Sequence, residues 1–534
     1  MKALLVHPPT PMSFFSFPKL LHRVGYKVMM PSISLITVAA LLPREWQLCL
    51  VDLNAESMTD QQWDWADLVM ISGMIIHRPN LLALIREAKA RGKTVVVGGP
   101  YATSLPEEVL EAGADFVVRG EGENTIPLFL EALAQGQQGG VFKCNAKPDL
   151  ATSPIPRFDL LNLKHYASLS VQTSRGCPHD CEFCDVVHLF GRRPRYKEPR
   201  QVIAELETLY RLGWRGAVFI SDDNFIGNKT QARAILRELT PWSKSRGEPF
   251  VFNTQATVTL GQDVPLIDLM TEANFVQVFL GLESLEEEAL IRSGKHLNRR
   301  ASMQESVETI KANGLTIMGS FILGMDGERP GTGDRIISFI EATNIPMVVI
   351  HLLQPAPHTR LWQRLQQEER LLTEEFQNST ELDTMGGRQF FIPSRPRAEI
   401  MAEYHKVWDT IYEPRRYLER NYQFFLGMRP TRAALARRQG KILPPAPVPP
   451  AKKPLRTTLI SLYIFLNFSW QLGVVSSTRG QYWRHLWGLM RKNPSRLMGY
   501  LINCANGSSM FYFRDLLHQR RLIGLSCLSG EGLP

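Results

Sequence analysis

The chain has 534 residues, of which 44% are hydrophobic and 21% are charged, a composition that excludes a largely disordered or fibrous protein. Its net charge of +9 is unevenly distributed, because residues 413–534 hold 19 Lys and Arg against 4 Asp and Glu, a net of +15. The preceding residues therefore carry a net charge of −6. A basic tail on a mildly acidic body indicates an anionic partner for the tail alone, either a membrane surface or a nucleic acid.

The seven cysteines do not suggest a disulfide framework, because their number is odd and three of them lie within eight residues. Clustered thiols in a large chain indicate a reducing compartment and metal binding. The segment from Met1 to Pro9 is too short an apolar run for a signal peptide. We therefore predict a cytoplasmic protein.

Residues 1–145 alternate short apolar strands with helices, which predicts a parallel, doubly wound sheet. The predicted strands cover residues 2–7, 48–51, 68–72, 94–97 and 114–118, and the predicted helices cover residues 32–42, 81–91 and 125–133. Ligands of such sheets bind at the carboxyl ends of the strands. Gly73 and the turn Gly98-Gly99-Pro100 lie at those ends.

Residues 146–170 contain three prolines and are predicted to be a linker. Residues 171–380 return to alternating strands and helices, with strands predicted at residues 169–173, 216–221, 250–253, 276–280, 318–323 and 347–352. About six βα units predict a partial (βα)6 barrel, in which functional residues lie at the carboxyl ends of the strands.

The last third of the chain is predicted to divide into a helical extension at 381–440, a stiff Pro-rich linker at 441–454 and a basic, aromatic-rich region at 455–534. Residues 457–478 carry no charge and are long enough to span a bilayer, but polar side chains crowd their second half. Three interpretations stay open: a buried helix, a helix lying in the membrane interface, and a true span.

Three cysteines, Cys177, Cys181 and Cys184, directly follow a predicted strand. Thiolates at this spacing can point inward from one loop and hold three irons of a cubane cluster, which leaves the fourth iron open for a substrate. The other cysteines are remote in sequence. The spacing therefore predicts a catalytic [4Fe–4S] cluster. The alternative is a zinc loop that takes His179 or His188 as its fourth ligand.

The segment from Thr173 to Cys184 resembles the cluster motif of the radical S-adenosylmethionine (SAM) superfamily, and the resemblance continues along the predicted barrel. In that superfamily SAM binds the open iron and is cleaved to a radical that abstracts a hydrogen atom. The resemblance implies SAM contacts at the ends of three strands, by Asp222, Asp223, Glu283, Ser284 and Gly324. Taken alone, the two aspartates are also compatible with helix caps, and Glu283 with an ion pair to an arginine.

The N-terminal sheet resembles the cobalamin-binding domain that precedes many radical SAM barrels. The resemblance is carried by the Gly98-Gly99-Pro100 turn and the segment from Arg119 to Glu123, and it implies cobalamin contacts by Gly73, Gly98, Gly99, Pro100 and Glu121. The DxHxxG motif, whose histidine ligates cobalt from below, is absent. The resemblance therefore implies a cobalamin whose lower face has no histidine ligand. His77 is a further candidate for a residue that faces cobalt.

Longer segments, at residues 33–43, 214–229, 352–365 and 481–504, resemble the hopanoid C-2 methylase group of the cobalamin-dependent radical SAM enzymes. Ser34 and residues 325–328 depart from the usual pattern of that group, which bears on the substrate more than on the chemistry. The resemblance implies methylation of an unactivated carbon in a hopanoid-like polycyclic lipid. The implied cofactors are a [4Fe–4S] cluster, SAM and cobalamin.

Two other functions stay open: a cobalamin radical SAM enzyme that catalyses a non-methylating oxidation or rearrangement, and a cobalamin- or cluster-dependent sensor. The resemblance further implies a small-molecule or lipid substrate and an electron donor such as flavodoxin or ferredoxin. The basic tail predicts peripheral contact with the cytoplasmic face of a membrane. No nucleic-acid partner is expected.

Overall fold

The protein has an α/β architecture with two parallel sheets and a helical C-terminal region. The computed structural model describes residues 1–299, 302–377, 389–440, 466 and 469–529. Within these residues each of the two sheets has six strands, and the chain alternates strand and helix through both of them. The predicted fold class is confirmed. The predicted domain boundaries stay a prediction.

The first sheet is built from residues 2–143. Its strands are β1 (Lys2–His7), β2 (Gln47–Asp52), β3 (Leu68–Ser72), β4 (Thr94–Gly98), β5 (Phe116–Arg119) and β6 (Gly140–Lys143). Its helices are α1 (Pro18–Val24), α2 (Ile33–Leu41), α3 (Asp60–Trp65), α4 (Arg78–Ala90), α5 (Gly99–Ser104), α6 (Pro106–Glu111) and α7 (Gly122–Ala134). The strand order is β2-β1-β3-β4-β5-β6, and β3 is buried along its whole length because helices cover both faces.

Five elements of this part of the chain are not predicted from the sequence: the strand β6 and the helices α1, α3, α5 and α6. The strand β6 alternates half-buried and exposed residues, so it lacks the apolar run that marks the inner strands. The helix α3 begins at a capping box between Thr59 and Gln62, a local signal without a long apolar pattern behind it. The helix α5 begins at Gly99, inside what the sequence predicts as a turn.

The second sheet follows a segment with three short 3₁₀ turns. The strands of this part of the chain are β7 (Ser168–Val171), β8 (Ser174–Arg175), β9 (Arg195–Tyr196), β10 (Ala217–Ile220), β11 (Val251–Ala256), β12 (Phe275–Glu283), β13 (Thr316–Leu323) and β14 (Met347–Leu352). The helices are α8 (Val186–Phe190), α9 (Pro199–Arg211), α10 (Lys229–Ser245), α11 (Val264–Glu272), α12 (Glu287–Arg292), α13 (Met303–Ala312), α14 (Thr332–Thr343), α15 (Arg360–Gln367) and α16 (Thr373–Gln377). Six strands form the parallel sheet β14-β13-β12-β11-β10-β7, while β8 and β9 pair antiparallel.

The two edges of the second sheet are covered by segments from the other regions. Beside β7, the amides of Ala167 and Ser168 donate to the carbonyls of Val28 and Met29, at 3.0 and 2.9 Å. Beside β14, the hydroxyl of Tyr412 bonds both the amide and the carbonyl of Val348. Edge strands carry unpaired backbone groups that need such cover. The N-terminal segment and the C-terminal helices therefore close the open side of the six-stranded sheet.

The C-terminal region is helical where it is described, with α17 (Arg397–Ile411), α18 (Pro414–Gly427), α19 (Arg432–Arg438), α20 (Arg479–Lys492) and α21 (Leu497–Ser529). The hydroxyl of Tyr417 on α18 donates to the carbonyl of Asn503 on α21, which ties these two helices together. The predicted linker 441–454 and half of residues 457–478 lie outside the described residues. No helix in the described ranges combines the length and the apolar character that crossing a bilayer requires.

Candidate active site

The loop that carries the three cysteines is held in place by a buried aspartate. Asp222, just after β10, is 1% exposed and accepts hydrogen bonds from the amides of Thr173 and Ser174, at 2.6 and 3.0 Å, and from both hydroxyls. These contacts fix the backbone where the chain leaves β7 and enters the loop. Neither Asp222 nor Asp223 caps a helix, since the side chain of Asn228 caps α10. The helix-cap interpretation is therefore wrong.

The neighbouring Asp223 holds the next residue of the loop. Its carboxylate accepts a hydrogen bond from the amide of Gly176 at 2.9 Å. Gly176 has a φ of +94°, and a Cβ there would lie 2.8 Å from the carbonyl oxygen of Gly191, so only glycine fits. Burial raises the pKa of Asp223 to about 6. The two adjacent aspartates thus fix the backbone at the start of the segment that carries the cysteines. We call this segment, residues 176–184, the cysteine loop.

The cysteine loop presents three free thiols. Cys181 is buried and Cys177 and Cys184 are half-buried, and burial raises the thiol pKa of each, to about 12 for Cys184. A buried thiol resists ionisation unless a cation or a metal compensates its charge. Among the described residues, no three His, Cys, Asp or Glu side chains converge on a position for a single metal ion. Three soft thiol ligands on one loop suit an iron–sulfur cluster.

The compensating cation beside the cysteine loop is Lys295. Its Nζ lies 2.8 Å from the Oε1 of Glu283, at the end of β12, and both side chains are almost completely buried. Burial alone lowers the pKa of Lys295, but Glu283 and then Cys181 outweigh it and hold the pKa above its usual range. The ion pair predicted as the alternative role of Glu283 is present, with a lysine as partner. Lys295 places a fixed positive charge where thiolates and a carboxylate gather.

A tight contact between loops brings Lys295 to this position. The amide of Glu182 donates to the carbonyl of Ser293 at 2.9 Å. Gly294 approaches so closely that a Cβ there would lie 2.7 Å from the carbonyl oxygen of Asp180. The sequence does not identify Lys295, because it follows α12 and does not end a strand. The glycine before it is a weak signal of a close backbone approach.

The remaining residues predicted on the barrel side lie at the ends of β12 and β13. The hydroxyl of Ser284 is completely buried and accepts a hydrogen bond from the amide of Glu286 at 3.1 Å. The amide of Gly324 donates to Glu328 at 2.9 Å, and a Cβ at Gly324 would lie 2.5 Å from the side-chain nitrogen of Gln389. The nitrogen and the oxygen of the Gln389 side-chain amide are both buried, and neither has a hydrogen-bond partner among the described residues. Gln389, which sequence reasoning misses, is thus a polar group beside Gly324.

Glu121 lies at the contact between the two sheets. Its two carboxylate oxygens accept hydrogen bonds from Arg175, at 2.9 Å, and from Arg195, at 2.9 and 2.8 Å. Glu123 also pairs with Arg175, and the Arg175 guanidinium holds the pKa of Glu123 near 2 although burial alone would raise it. Arg175 directly precedes Gly176 and the cysteines. The start of α7 in the first sheet is therefore joined to the cysteine loop by a buried ion cluster, which the sequence does not predict.

The carboxyl edge of the first sheet is made of small residues. Gly99 has a φ of +86°, and a Cβ there would lie 2.5 Å from the hydroxyl of Ser72 and 3.2 Å from the carbonyl of Gly73. Gly98 ends β4, and Pro100 occupies the first turn of α5. With so few side chains, backbone groups are accessible to a large ligand at this edge. The predicted glycines are brought together, whereas Glu121 is engaged in ion pairs.

His77 is buried near the same edge, only 1% exposed. The amide of Met74 donates to its Nδ1 at 3.0 Å, and its Nε2 lies 3.0 Å from the hydroxyl of Thr10. Burial lowers the pKa of His77 to about 4, so the ring is neutral. Both ring nitrogens are engaged within the protein, which leaves neither of them free for a metal in this arrangement. The ring of His188, the other histidine considered as a ligand, stacks on that of His358 with centroids 5.0 Å apart.

Three segments match known protein families. Residues 24–130 match the B12 binding domain, residues 171–340 match the Radical SAM superfamily, and residues 359–521 match a domain of unknown function, DUF4070. The chain is 46% identical to an uncharacterized methyltransferase of Synechocystis sp., over 97% of this chain and 93% of the relative. It is 33% identical to the hopanoid C-2 methylase of Rhodopseudomonas palustris, over 85% of this chain and 82% of the relative.

The chain belongs to the cobalamin-binding radical SAM family. It is therefore an enzyme of that family, and the predicted resemblance is confirmed. The fold is shared with two solved radical SAM proteins. One is OxsB with aqua-cobalamin and SAM bound, with a TM-score of 0.61 at 14% identity, over 100% of this chain and 81% of that chain. The other is TsrM from Kitasatospora setae with tryptophan and a SAM analog bound, with a TM-score of 0.56 at 18% identity, over 69% and 76%.

Proposed function

We propose that this enzyme is a cobalamin-dependent radical SAM methyltransferase that methylates an unactivated carbon of a hopanoid-like polycyclic lipid. The observation that carries the proposal is the meeting of two sites. A loop with three free thiols lies beside a buried lysine at the carboxyl end of the second sheet. Ion pairs join this loop to the start of α7 in the first sheet, whose strands β3 and β4 end at glycines. A [4Fe–4S] cluster and SAM suit the former, and cobalamin suits the latter.

The residues of the chain have distinct roles in this proposal. Cys177, Cys181 and Cys184 would hold the cluster, while Asp222 and Asp223 hold the backbone of their loop. Lys295 would offer a cation to the carboxylate group of SAM, and Glu283 would offer a carboxylate to its amino group. When bound, the cluster and SAM supply hydrogen-atom abstraction, and cobalamin supplies the methyl group. The protein contributes position and the exclusion of water.

The cobalamin contacts are assigned to the edge formed by Gly73, Gly98, Gly99 and Pro100. The close packing at Gly99 leaves backbone rather than side chains at this edge, which suits a ligand as large as cobalamin. Because both nitrogens of His77 are engaged, we propose that cobalt has no histidine from this residue on its lower face. An electron donor such as flavodoxin or ferredoxin is expected, since the reaction begins with reduction of the cluster.

The inner face of the second sheet supports a neutral substrate. Alternate residues of the six strands pack under the helices, and the others face inward, including Ser170, Phe219, Asn253, Gln277, Phe279, Ser320 and His351. Within these six described strands Glu283 is the only charged residue. Burial lowers the pKa of His351 to about 4, so its ring is neutral. A charged substrate group would remain unpaired here, at a high desolvation cost.

Aromatic residues from the N-terminal segment lie against the inner face of the second sheet and narrow the space proposed for the substrate. The ring of Phe14 lies 5.1 Å from that of His351, and Phe15 lies 6.2 Å from Phe279. The side-chain oxygen of Asn253 is buried without a hydrogen-bond partner in the described structure. Apolar walls with a few neutral polar groups suit a large hydrocarbon that carries hydroxyl groups. This lining supports a polycyclic lipid over an amino acid or a phosphate ester.

The proposal is tested by comparing lipid extracts of a gene-deletion strain and its parent by mass spectrometry. We expect the deletion strain to lack a lipid and to accumulate the same lipid lighter by one methylene unit. Complementation with the wild-type gene should restore the heavier species, and complementation with a Cys181→Ala gene should not. Identical lipid profiles would overturn the lipid substrate. A difference of oxygen or hydrogen atoms alone would show a non-methylating reaction instead.

A further inference from the structure

The C-terminal helices carry an apolar face that the fold does not bury. Trp470 and Trp487 are each 62% exposed, and Val475 is 68% exposed. Trp483 lies one helical turn before Trp487 on α20, and its indole nitrogen donates to the carbonyl of Gly473 at 2.8 Å. This contact joins the turn at Gln471–Val475 to the outer side of α20. We call the surface formed by Trp470, Val475, Trp483 and Trp487 the tryptophan face.

The orientation of the tryptophan face is fixed by the opposite side of α20. Tyr482, His485, Leu486 and Leu489 are buried, and the ring of His485 stacks on that of Tyr422 with centroids 4.4 Å apart. The Nε2 of His485 also lies 3.0 Å from a carboxylate oxygen of Glu419 on α18. The helix therefore already has its core contacts. The exposed tryptophans form a second apolar side that points away from the molecule.

The surroundings of the tryptophan face are positively charged. Arg479, Arg484, Arg491 and Lys492 are all exposed on α20, and none of them forms an ion pair within the described residues. The sequence contains no Asp or Glu between Glu419 and Asp515. Four unneutralised cations beside three tryptophans complement a surface that is anionic and has an accessible apolar layer. A bilayer with anionic head groups has both properties.

We propose that the tryptophan face docks the enzyme peripherally on an anionic lipid bilayer, with the indole rings at the boundary between head groups and acyl chains. The proposal rests on the proposed function, because a lipid-methylating enzyme needs contact with the leaflet that holds its substrate. The C-terminal helices also cover the edge strand β14, through Tyr412 and Val348. Docking would therefore bring the bilayer to the part of the chain that closes the substrate space.

The test uses the full-length, cluster-loaded enzyme and vesicles of phosphatidylcholine with or without phosphatidylglycerol. We expect cosedimentation with the anionic vesicles at low salt, and a loss of at least about tenfold in binding at high salt, since the charge attraction is screened. Trp470→Ala/Trp487→Ala should weaken binding by about tenfold or more, because two interfacial indoles are removed. Arg484→Glu/Arg491→Glu should do the same by reversing two charges.

A matched control is the double reversal Arg86→Glu/Arg237→Glu, at exposed positions on α4 of the first sheet and α10 of the second. It changes the net charge by the same amount as Arg484→Glu/Arg491→Glu. It should retain most of the binding. Iron content and SAM cleavage, measured without vesicles, should stay at wild-type levels in all variants, which separates loss of docking from loss of folding. If the enzyme binds the vesicles as expected but its deletion leaves the lipid profile unchanged, the proposed function is contradicted and the docking proposal is still supported.

Three results would overturn the docking proposal. The first is no cosedimentation of the wild-type enzyme with anionic vesicles at low salt. The second is binding that the tryptophan and arginine variants leave unchanged. The third is a concentration-dependent dimer, seen by analytical ultracentrifugation, that is lost in Trp470→Ala/Trp487→Ala, because the face would then bind a second copy of the chain.

Discussion

The carboxyl ends of the two parallel sheets are built in contrasting ways. The second sheet ends in buried ionisable side chains, with Asp222, Glu283 and Lys295 gathered around the cysteine loop. The first sheet ends in Gly73, Gly98 and Gly99, where an added Cβ meets neighbouring atoms. One edge makes a site by adding side chains, and the other makes a site by leaving them out. Substitutions at the two edges should therefore fail for different reasons.

The largest effect is expected at the edge built from side chains. Replacing Cys181 with Ala removes one of three cluster ligands, so the anaerobically reconstituted enzyme should lose most of its approximately four irons and all SAM cleavage. Iron analysis and chromatography of 5′-deoxyadenosine check both. Cys144→Ala changes a cysteine outside the loop and should retain both properties. Full SAM cleavage in the Cys181→Ala enzyme would remove the basis of the comparison.

At the edge built from glycines, Gly99→Ala should weaken cobalamin binding by about tenfold or more and leave SAM cleavage in place. A side chain at Gly99 meets Ser72 at 2.5 Å in addition to the strain of a positive φ, whereas Gly136, with φ of +78°, has open space around it. Gly136→Ala is thus a control that carries the backbone strain alone, about 1–2 kcal/mol. Absorbance titration with hydroxocobalamin measures the difference. Equal affinities for the two variants would contradict a ligand at this edge.

The junction of the two edges should show an intermediate effect. Arg175→Gln leaves the carboxylates of Glu121 and Glu123 buried with fewer partners, so we expect a loss of about 3 kcal/mol in stability. Chemical denaturation measures it as a lower unfolding midpoint. Arg157→Gln breaks an exposed pair with Asp159 and should cost less than about 1 kcal/mol. A junction that tolerates Arg175→Gln as well as Arg157→Gln would show that the sheets do not depend on this ion cluster.

The smallest effect concerns pH. Burial lowers the pKa of His77 from 6.5 to about 4. Between these two pH values the unfolded chain therefore binds a proton at this ring and the folded chain does not. Stability should therefore fall gradually as the pH decreases from about 6.5 to 4. His77→Gln should reduce that fall, while His22→Gln, on the exposed side of α1, should not. An unchanged acid sensitivity in His77→Gln would show that the ring is accessible to protons.

Much of the fold follows from local pattern. The strands β3, β4 and β13 are apolar runs that end at or next to a glycine, and the sequence predicts each within two residues. β6 is missed because its pairing with β5 depends on the neighbouring strand and not on an apolar run of its own. The cysteine loop is predictable because cluster ligands must come from one short segment. Each of the predictable features depends on residues that are close together in the sequence.

The contacts that hold the candidate site together are long-range, and no local pattern carries them. Lys295 reaches Glu283 only because Gly294 packs on the carbonyl of Asp180. Arg175 meets Glu121 across 54 positions of sequence. The position of Asp222 after the end of a strand is predictable from the sequence. Its four hydrogen bonds to the loop are not predictable, because they join distant parts of the chain. Position along a strand can be inferred from sequence, but partners across loops cannot.

The central claim is that both edges act on one reaction, and the products formed from SAM test it most directly. The cluster-loaded enzyme with cobalamin, a strong reductant and lipid extract from the deletion strain should form 5′-deoxyadenosine and S-adenosylhomocysteine in about equal amounts, with a lipid heavier by one methylene unit. Gly99→Ala should lose the S-adenosylhomocysteine and keep the 5′-deoxyadenosine. Formation of 5′-deoxyadenosine by the wild-type enzyme without S-adenosylhomocysteine or methylated lipid would contradict the account.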